Sequence, residues 1–308
     1  MDRTIQVLST VLPVILMLGI GMLCRNKKIL TREGIDALKT VAVQIGLPAV
    51  LLRTFAVTEY SLSTLAVPLI MFALCIAAFY LGKAGGRALK IKNRFLPFLT
   101  TGFEAGMLGY ALFELLYGSE KLTDFARIDL GQVLFVFTLY KVLLARETDN
   151  EKPPLSRIAK EMALSPIILA IAAGVVLGAT GLYAALGDGK QILDACAQIA
   201  AAPVSALILI SVGYDLVLKD IPWRAAMQAV GLRLAVMAVL GGGAMLLFRG
   251  LWPQADWTKP MLLMPLLPPP YVLSVFSADE KQRTYLSSAL SVSTMVTLLG
   301  FVALAAVG

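Results

Sequence analysis

Met261-Leu-Leu-Met-Pro265-Leu-Leu-Pro268-Pro269-Pro270-Tyr271-Val-Leu-Ser274 is apolar enough to enter a bilayer, yet it cannot form one continuous helix. Each proline removes a backbone donor and drives its ring into the preceding turn. The residue before each proline is also pushed out of the helical region. Carbonyls released in this way need partners, because hydrocarbon supplies none. Such backbone persists at membrane depth only inside protein or beside a water-filled cavity. The stretch predicts a broken membrane helix with opened backbone at its centre, lining a solute pathway.

The rest of the chain agrees with a membrane setting. Of 308 residues, 58% are hydrophobic and 15% charged, and the mean hydropathy of +0.80 lies far outside the soluble range. The first apolar run, about 5–24, leads straight into Arg25-Asn-Lys27-Lys28 with no small-residue cleavage site, which predicts a retained helix rather than a secretory signal. A net charge of +7 in a chain of this kind belongs to cytoplasmic loops, with the bilayer and not nucleic acid as the partner. Cys24, Cys75 and Cys196 lie in apolar runs without metal-ligand spacing, so neither a disulfide framework nor a metal site is indicated. The chain has no histidine, which removes Ser-His-Asp catalysis and histidine-based zinc sites.

Apolar runs of about twenty residues predict an all-α polytopic membrane protein of ten spans. They fall at about 5–24, 35–57 (interrupted by Gly46-Leu47-Pro48), 63–83, 96–117, 125–145, 160–184, 191–218 (with Pro203), 222–248, the proline-broken stretch, and 282–307. Loops after odd spans carry Arg25, Lys27, Lys28 and Arg32; Lys83, Arg87, Lys90, Lys92 and Arg94; Arg146, Lys152, Arg157 and Lys160; Lys219 and Arg224; and Lys281 and Arg283. Loops after even spans carry only Lys121, Arg127, Lys190, Arg249 and Lys259. The bias puts odd loops in the cytoplasm and both termini outside, in the plasma (inner) membrane.

An internal repeat follows from three landmarks. Leu12-Pro13 pairs with Ser165-Pro166, and Leu47-Pro48 with Ala202-Pro203, at offsets of about 150 to 155 residues. The same register sets the triple proline opposite Ala105-Gly106-Met-Leu-Gly109, a stretch weakened as helix by glycine. Five spans in each half force opposite orientations. The expectation is therefore two inverted five-helix repeats, 1–155 and 156–308, with spans four and nine broken and crossing.

Charges at membrane depth cost at least about 2.5–3.5 kcal/mol each on insertion scales, so each needs a reason. Glu104 sits beside the glycine break and Asp129 early in span five; Arg233 lies roughly 16 Å into span eight at 1.5 Å per residue. Grouped at the crossing, Glu104, Asp129 and Arg233 are candidates for a substrate or ion site, where Arg233 offers a planar fork for a carboxylate; the alternative for Arg233 is a buried pair with a carboxylate that only locks packing. Half-helix amino ends would present positive dipole ends to an anion, and unwound carbonyls would hold a cation. Gly106, Gly109, Pro268, Pro269 and Pro270 supply the opened backbone. Gln44, Gln132, Tyr271, Ser274, Ser291, Ser293 and Thr294 are candidates for the polar lining. Glu114, Asp215 and Arg53 are expected near the interfaces, reaching water.

Several of these segments resemble the auxin efflux carrier family, within the bile-acid, arsenite and related transporter superfamily. They are Gly34-Ile-Asp-Ala-Leu-Lys39, Gly46-Leu-Pro-Ala-Val-Leu-Leu-Arg-Thr-Phe55, Gly106-Met-Leu-Gly-Tyr110, Asp129-Leu-Gly-Gln-Val-Leu-Phe-Val-Phe-Thr138 and Ser291-Val-Ser-Thr294. The resemblance implies a scaffold of spans 1, 2, 6 and 7, a transport domain of spans 3–5 and 8–10 moving as an elevator, and a homodimer through the scaffold. It implies small organic anions as substrates, such as malate, malonate or indole-type acids. Apart from a coupling proton or sodium ion, no cofactor is expected. One departure stands out. Where the family carries Asn-x-Gly in span four, this chain has Glu104-Ala-Gly106, and a carboxylate there repels an anion unless it is protonated or paired with a cation. That points to proton or sodium coupling. The alternative is a cation/proton antiporter of related fold, although Asp129 has no acidic neighbour in sequence. An intramembrane aspartyl protease would need a second Gly-x-Gly-Asp element inside a span, which is missing, so the chain is not expected to be an enzyme. A membrane sensor would need a soluble output domain, and the sequence has none.

Overall fold

A computed structural model describes residues 3–58, 60, 62–148, 154–216, 221–254, 256–276 and 280–307. All the regular structure within them is helical: α1 (Arg3–Asn26), α2 (Arg32–Ala56), α3 (Leu62–Ala88), α4 (Leu96–Leu99), α5 (Ala105–Tyr117), α6 (Ser119–Glu147), α7 (Leu155–Ala163), α8 (Pro166–Ala179), α9 (Leu182–Ala185), α10 (Gly189–Ala201), α11 (Val204–Asp215), α12 (Trp223–Leu251), α13 (Thr258–Leu263) and α14 (Glu280–Val307). Seven helical stretches are long and apolar enough to cross a membrane: α1, α2, α3, α6, α10 with α11, α12 and α14. Two shorter apolar helices, α5 and α8, accompany them. The chain is a multi-pass membrane protein by helix length and hydropathy.

Burial runs opposite to that of a water-soluble domain. Leu65, Leu69, Ile199, Leu246 and Leu299 point outward, while Asp129, Gln132, Arg233, Ser293 and Thr294 are buried. Apolar outside and polar inside suits a lipid solvent, where polar groups must find partners within the bundle. The helices approach closely where a side chain is missing. Gly21 of α1 lies against the backbone of Ile210 and Tyr214, and Gly213 of α11 lies against Leu18, so this pair of helices meets through reciprocal glycines. The main packings join α1 to α11, α8 to the second half of α2, α3 to α6, and α12 to both α3 and α14.

Three helix boundaries differ from the sequence expectation, each for a local reason. Span two is not interrupted at Gly46-Leu47-Pro48. A single π turn at Ala42–Gly46, in which Leu47 N–H bonds to Ala42 O, sets the register so that α2 continues through Pro48. Span six shrinks to α8, because Ser165 before Pro166 is extended (φ −64°, ψ 127°) and cuts α7 away. Span seven bends at Ala202–Pro203, which splits it into α10 and α11.

Both spans four and nine are broken, but the first break is displaced from the expected Ala105–Gly109: Gly106 and Gly109 stay helical, and the backbone opens just before them, where Gly102 takes a positive φ. After α4 the chain runs without helix through residues 100–104, then enters α5 through a π turn at Ala105–Gly109. After α13 a 3₁₀ turn at Met264–Leu266 gives way to non-helical residues 267–270, and a second 3₁₀ stretch covers Tyr271–Phe276.

Candidate functional site at the crossing of two broken helices

The two unwound segments touch. Gly102 adopts φ +64°, and a Cβ there would stand 2.9 Å from Pro270 Cγ, so only glycine fits this crossing without strain. Glu104 N–H then donates to Pro268 O at 2.8 Å, tying one segment to the other. Gly109 approaches from the α5 side, where a Cβ would meet Leu267 Cδ1 at 2.8 Å.

The polar ends of the four half-helices are satisfied by two side chains. At the carbonyl ends sits Arg233 of α12, only 2% exposed. Its guanidinium donates through Nη1 to Leu99 O (3.1 Å), through Nη2 to Gly102 O (2.8 Å), and through Nε and Nη2 to Leu267 O (3.2 and 2.7 Å). The fixed fork of five donors suits several acceptors at once. Placed at the negative ends of two short helices, it is also favoured by their dipoles. Neither role expected for Arg233 is the one found. Its partners are carbonyls from both breaks rather than a carboxylate, and it does not line the cavity described next.

At the amide ends sits Glu104. Its Oε1 accepts from Met107 N–H at 3.0 Å, capping α5, and its Oε2 accepts from Tyr271 N–H at 2.6 Å, capping the 3₁₀ stretch of the other break. Such charge-assisted caps are the stronger kind. The amide ends expected to face an anionic solute are thus held by the protein's own carboxylate.

A cavity of about 870 Å³ leads to this carboxylate. Its buried end is lined by Glu104, Gly106, Asp129, Gln132, Pro270, Tyr271, Ser291 and Thr294. Gln132 donates to Phe103 O, holding the first break from α6. Thr294 Oγ1 donates to Leu290 O at 2.8 Å. With its one hydrogen used there, it accepts from Tyr271 Oη at 2.8 Å. Asp129 Oδ2 accepts from Tyr110 Oη at 3.0 Å. Its Oδ1 is buried and has no hydrogen-bond partner among the described residues. The exposed end is lined by Arg32, Asp36, Lys39, Asp215 and Arg283. There Asp215 pairs with Arg32 Nη1 at 2.5 Å and with Lys39, linking α2 to α11. The three π turns among the described residues, at Ala42–Gly46, Ala105–Gly109 and Val136–Tyr140, contribute residues to the walls. Such turns are over-represented at functional sites.

Most of the expected site residues therefore converge on one cavity. Ser293 is buried but lies outside the lining, its carbonyl accepting from Thr297 Oγ1. Pro268 and Pro269 are buried just behind Pro270. Gln44 is exposed on the outer side of the α2 π turn and does not reach the cavity, whereas its neighbour Val43 does. The side chain of Ser274 lies outside the described residues. Arg53 does not simply reach for water: its Nε pairs with Asp194 Oδ1 at 2.9 Å, an oxygen also bonded by Tyr183 Oη. Sequence reasoning missed Tyr110 and the ion pairs of Asp215. Tyr110 carried no signal beyond its place next to Gly109, Arg32 read only as loop charge, and Lys39 stood out only as the end of the Gly34–Lys39 segment of the family resemblance. A comparison with protein-family models finds no match for the chain, and a comparison with curated protein sequences finds none either.

Proposed function

We propose that the chain is a secondary transporter of small organic anions, working by alternating access at the crossing of the two broken helices. The observation that carries this reading is the cavity. It passes from an exposed rim of charges to the contact between two unwound segments, and its volume of about 870 Å³ matches the roughly 300–1,000 Å³ of small-molecule sites. In this reading the ten spans form two inverted repeats. Here α1, α2, α8 and α10–α11 are the scaffold, and α3 to α6 with α12 to α14 are the moving part. The resemblance to auxin efflux carriers supports that division and an elevator motion. Lys and Arg bias places the exposed rim in the cytoplasm of a cell whose plasma membrane holds the protein. The outward-facing Ile192 and Ile199 of α10 and Val176 of α8 suit a homodimer through the scaffold.

A second reading, a cation/proton antiporter, is favoured by one specific observation. Glu104 and Asp129 both line the cavity, while Arg233, the arginine buried among the described residues, is turned away to backbone carbonyls.

Reconstitution separates the two. Proteoliposomes would be given labelled mono- and dicarboxylates under imposed proton and sodium gradients, with an internal pH dye recording proton movement. Saturable uptake of at least one acid is the expected result. Cation-driven proton flux without uptake of any acid would establish the antiporter instead, and neither signal would overturn transport altogether.

A further inference from the structure

We infer that the crossing binds a small monovalent cation on Asp129, beside an anion that the protein supplies itself, and that a solute carboxylate has no free amide to dock on while Glu104 stays in place. The inference rests on the cavity being the transport site and names what binds there first.

The dipole ends of the crossing are already balanced. The carbonyls of Leu99, Gly102 and Leu267 receive Arg233, and the amides of Met107 and Tyr271 receive Glu104. In other transporters with broken helices these amide ends are what meets an anionic group. Here that position is filled by a tethered carboxylate. An incoming acid would meet two carboxylates, Glu104 and Asp129, at the buried end of the cavity.

Asp129 is the group left over. It is only 3% exposed and lines the cavity, and its Oδ1 has no donor among the described residues. A buried carboxylate oxygen without a donor or counter-charge is costly. The cations lining this cavity, Arg32, Lys39 and Arg283, stand with the exposed rim, and the first two are engaged by Asp215. A positive group that enters the cavity would complete Asp129.

The lining also sets the charge and size of that group. Calcium takes six to eight oxygen ligands, usually with several carboxylates. No cluster of three or more acidic, cysteine or histidine residues exists among the described residues. Neutral side-chain oxygens on the wall of the same cavity include those of Gln132, Ser291 and Thr294. One or two carboxylates with neutral oxygens suit sodium, potassium or an ammonium ion. An organic acid would then be carried with a cation, or after Glu104 has left its two amides.

The test is thermal melting of the full-length protein in detergent at pH 8, with sodium, potassium or ammonium chloride exchanged against N-methylglucamine chloride at constant ionic strength. At about ten times the dissociation constant, at least one small cation should raise the wild-type midpoint by roughly 2–4 °C. Asp129→Asn should lose that rise, and Ser293→Ala, buried nearby in α14 but outside the cavity lining, should retain it. If Asp129→Asn is not monodisperse, Asp129→Glu replaces it, and the preference order among the three cations should change. Malonate should stabilise Glu104→Asn in N-methylglucamine, but not the wild type. The inference is overturned if no small cation differs from N-methylglucamine, if the rise survives Asp129→Asn or is lost in Ser293→Ala, if Asp129→Glu leaves the order unchanged, or if malonate alone stabilises the wild type. These arms need no membrane. A cation response without uptake in proteoliposomes would remove the transporter reading and leave the binding site standing.

Discussion

At the scale of single residues, the crossing depends on two side chains of opposite charge with different duties. Replacing Arg233 by methionine would leave three buried carbonyls without donors, at about 1–3 kcal/mol each, partly offset by no longer burying a charge. A net loss of a few kcal/mol is expected, seen as a lower melting midpoint, with Arg233→Lys intermediate because a compact ammonium cannot span three acceptors. A midpoint for Arg233→Met equal to that of the wild type would show that the fork contributes little. Glu104→Gln differs in kind. The amide keeps the shape and one acceptor oxygen, but turns an NH₂ toward one of the two backbone N–H groups. It should cost about 1–3 kcal/mol and leave a folded protein whose transport is abolished or no longer answers to a cation gradient. Uptake equal to wild type at every pH and sodium concentration would remove Glu104 from coupling.

At the scale of elements, the breaks matter more than the helices. Gly102→Ala asks for a left-handed residue with a side chain, at about 1–2 kcal/mol, and pushes a methyl group onto Pro270 at 2.9 Å. It should impair uptake more than folding, because the crossing must part by a few tenths of an ångström. Comparing transport rate with melting midpoint for this variant checks the split. The second break was legible in sequence, since Pro268-Pro269-Pro270 advertises a failed helix chemically; the first was legible only to within a turn, because Gly106 and Gly109 stay in a π turn and the chain opens just before them, at residues 100–104. Also legible was the company of Glu104, Asp129 and Gln132, because charges in apolar runs need a shared interior. Less legible was everything decided by reach. Nothing local says that Arg233 finds Leu99, Gly102 and Leu267, residues distant in sequence, instead of a carboxylate. Nor does the sequence say that Gln44 faces outward while Val43 faces in, because a π turn shifts the helical face by an amount that periodicity does not encode.

At the scale of the whole molecule, an elevator motion requires one set of helices to slide past the other. Ser205 of α11 and Glu114 of α5 face each other across that boundary, with Ser205 Oγ donating to Glu114 Oε2 at 3.3 Å. Cysteines at these two positions, in a background with the exposed Cys196 changed to serine, should react with a short bis-thiol crosslinker. Uptake should fall by about tenfold or more on crosslinking and stay normal with either cysteine alone. Full activity after complete crosslinking would exclude sliding along this boundary. The carbonyl clamp also has a consequence for how the chain is made. Ribosomes deliver α4 and residues 100–104 first, so two of Arg233's three acceptors are waiting when α12 leaves the translocon. The third, Leu267, is synthesised 34 residues later, and Glu104 waits far longer for Tyr271, 167 residues on. Until the last quarter of the chain arrives, the first half holds an acidic cap with one amide missing. Assembly of the crossing is therefore expected to be post-translational in its final step, and a chain truncated before Leu267 should be a ready substrate for membrane quality control.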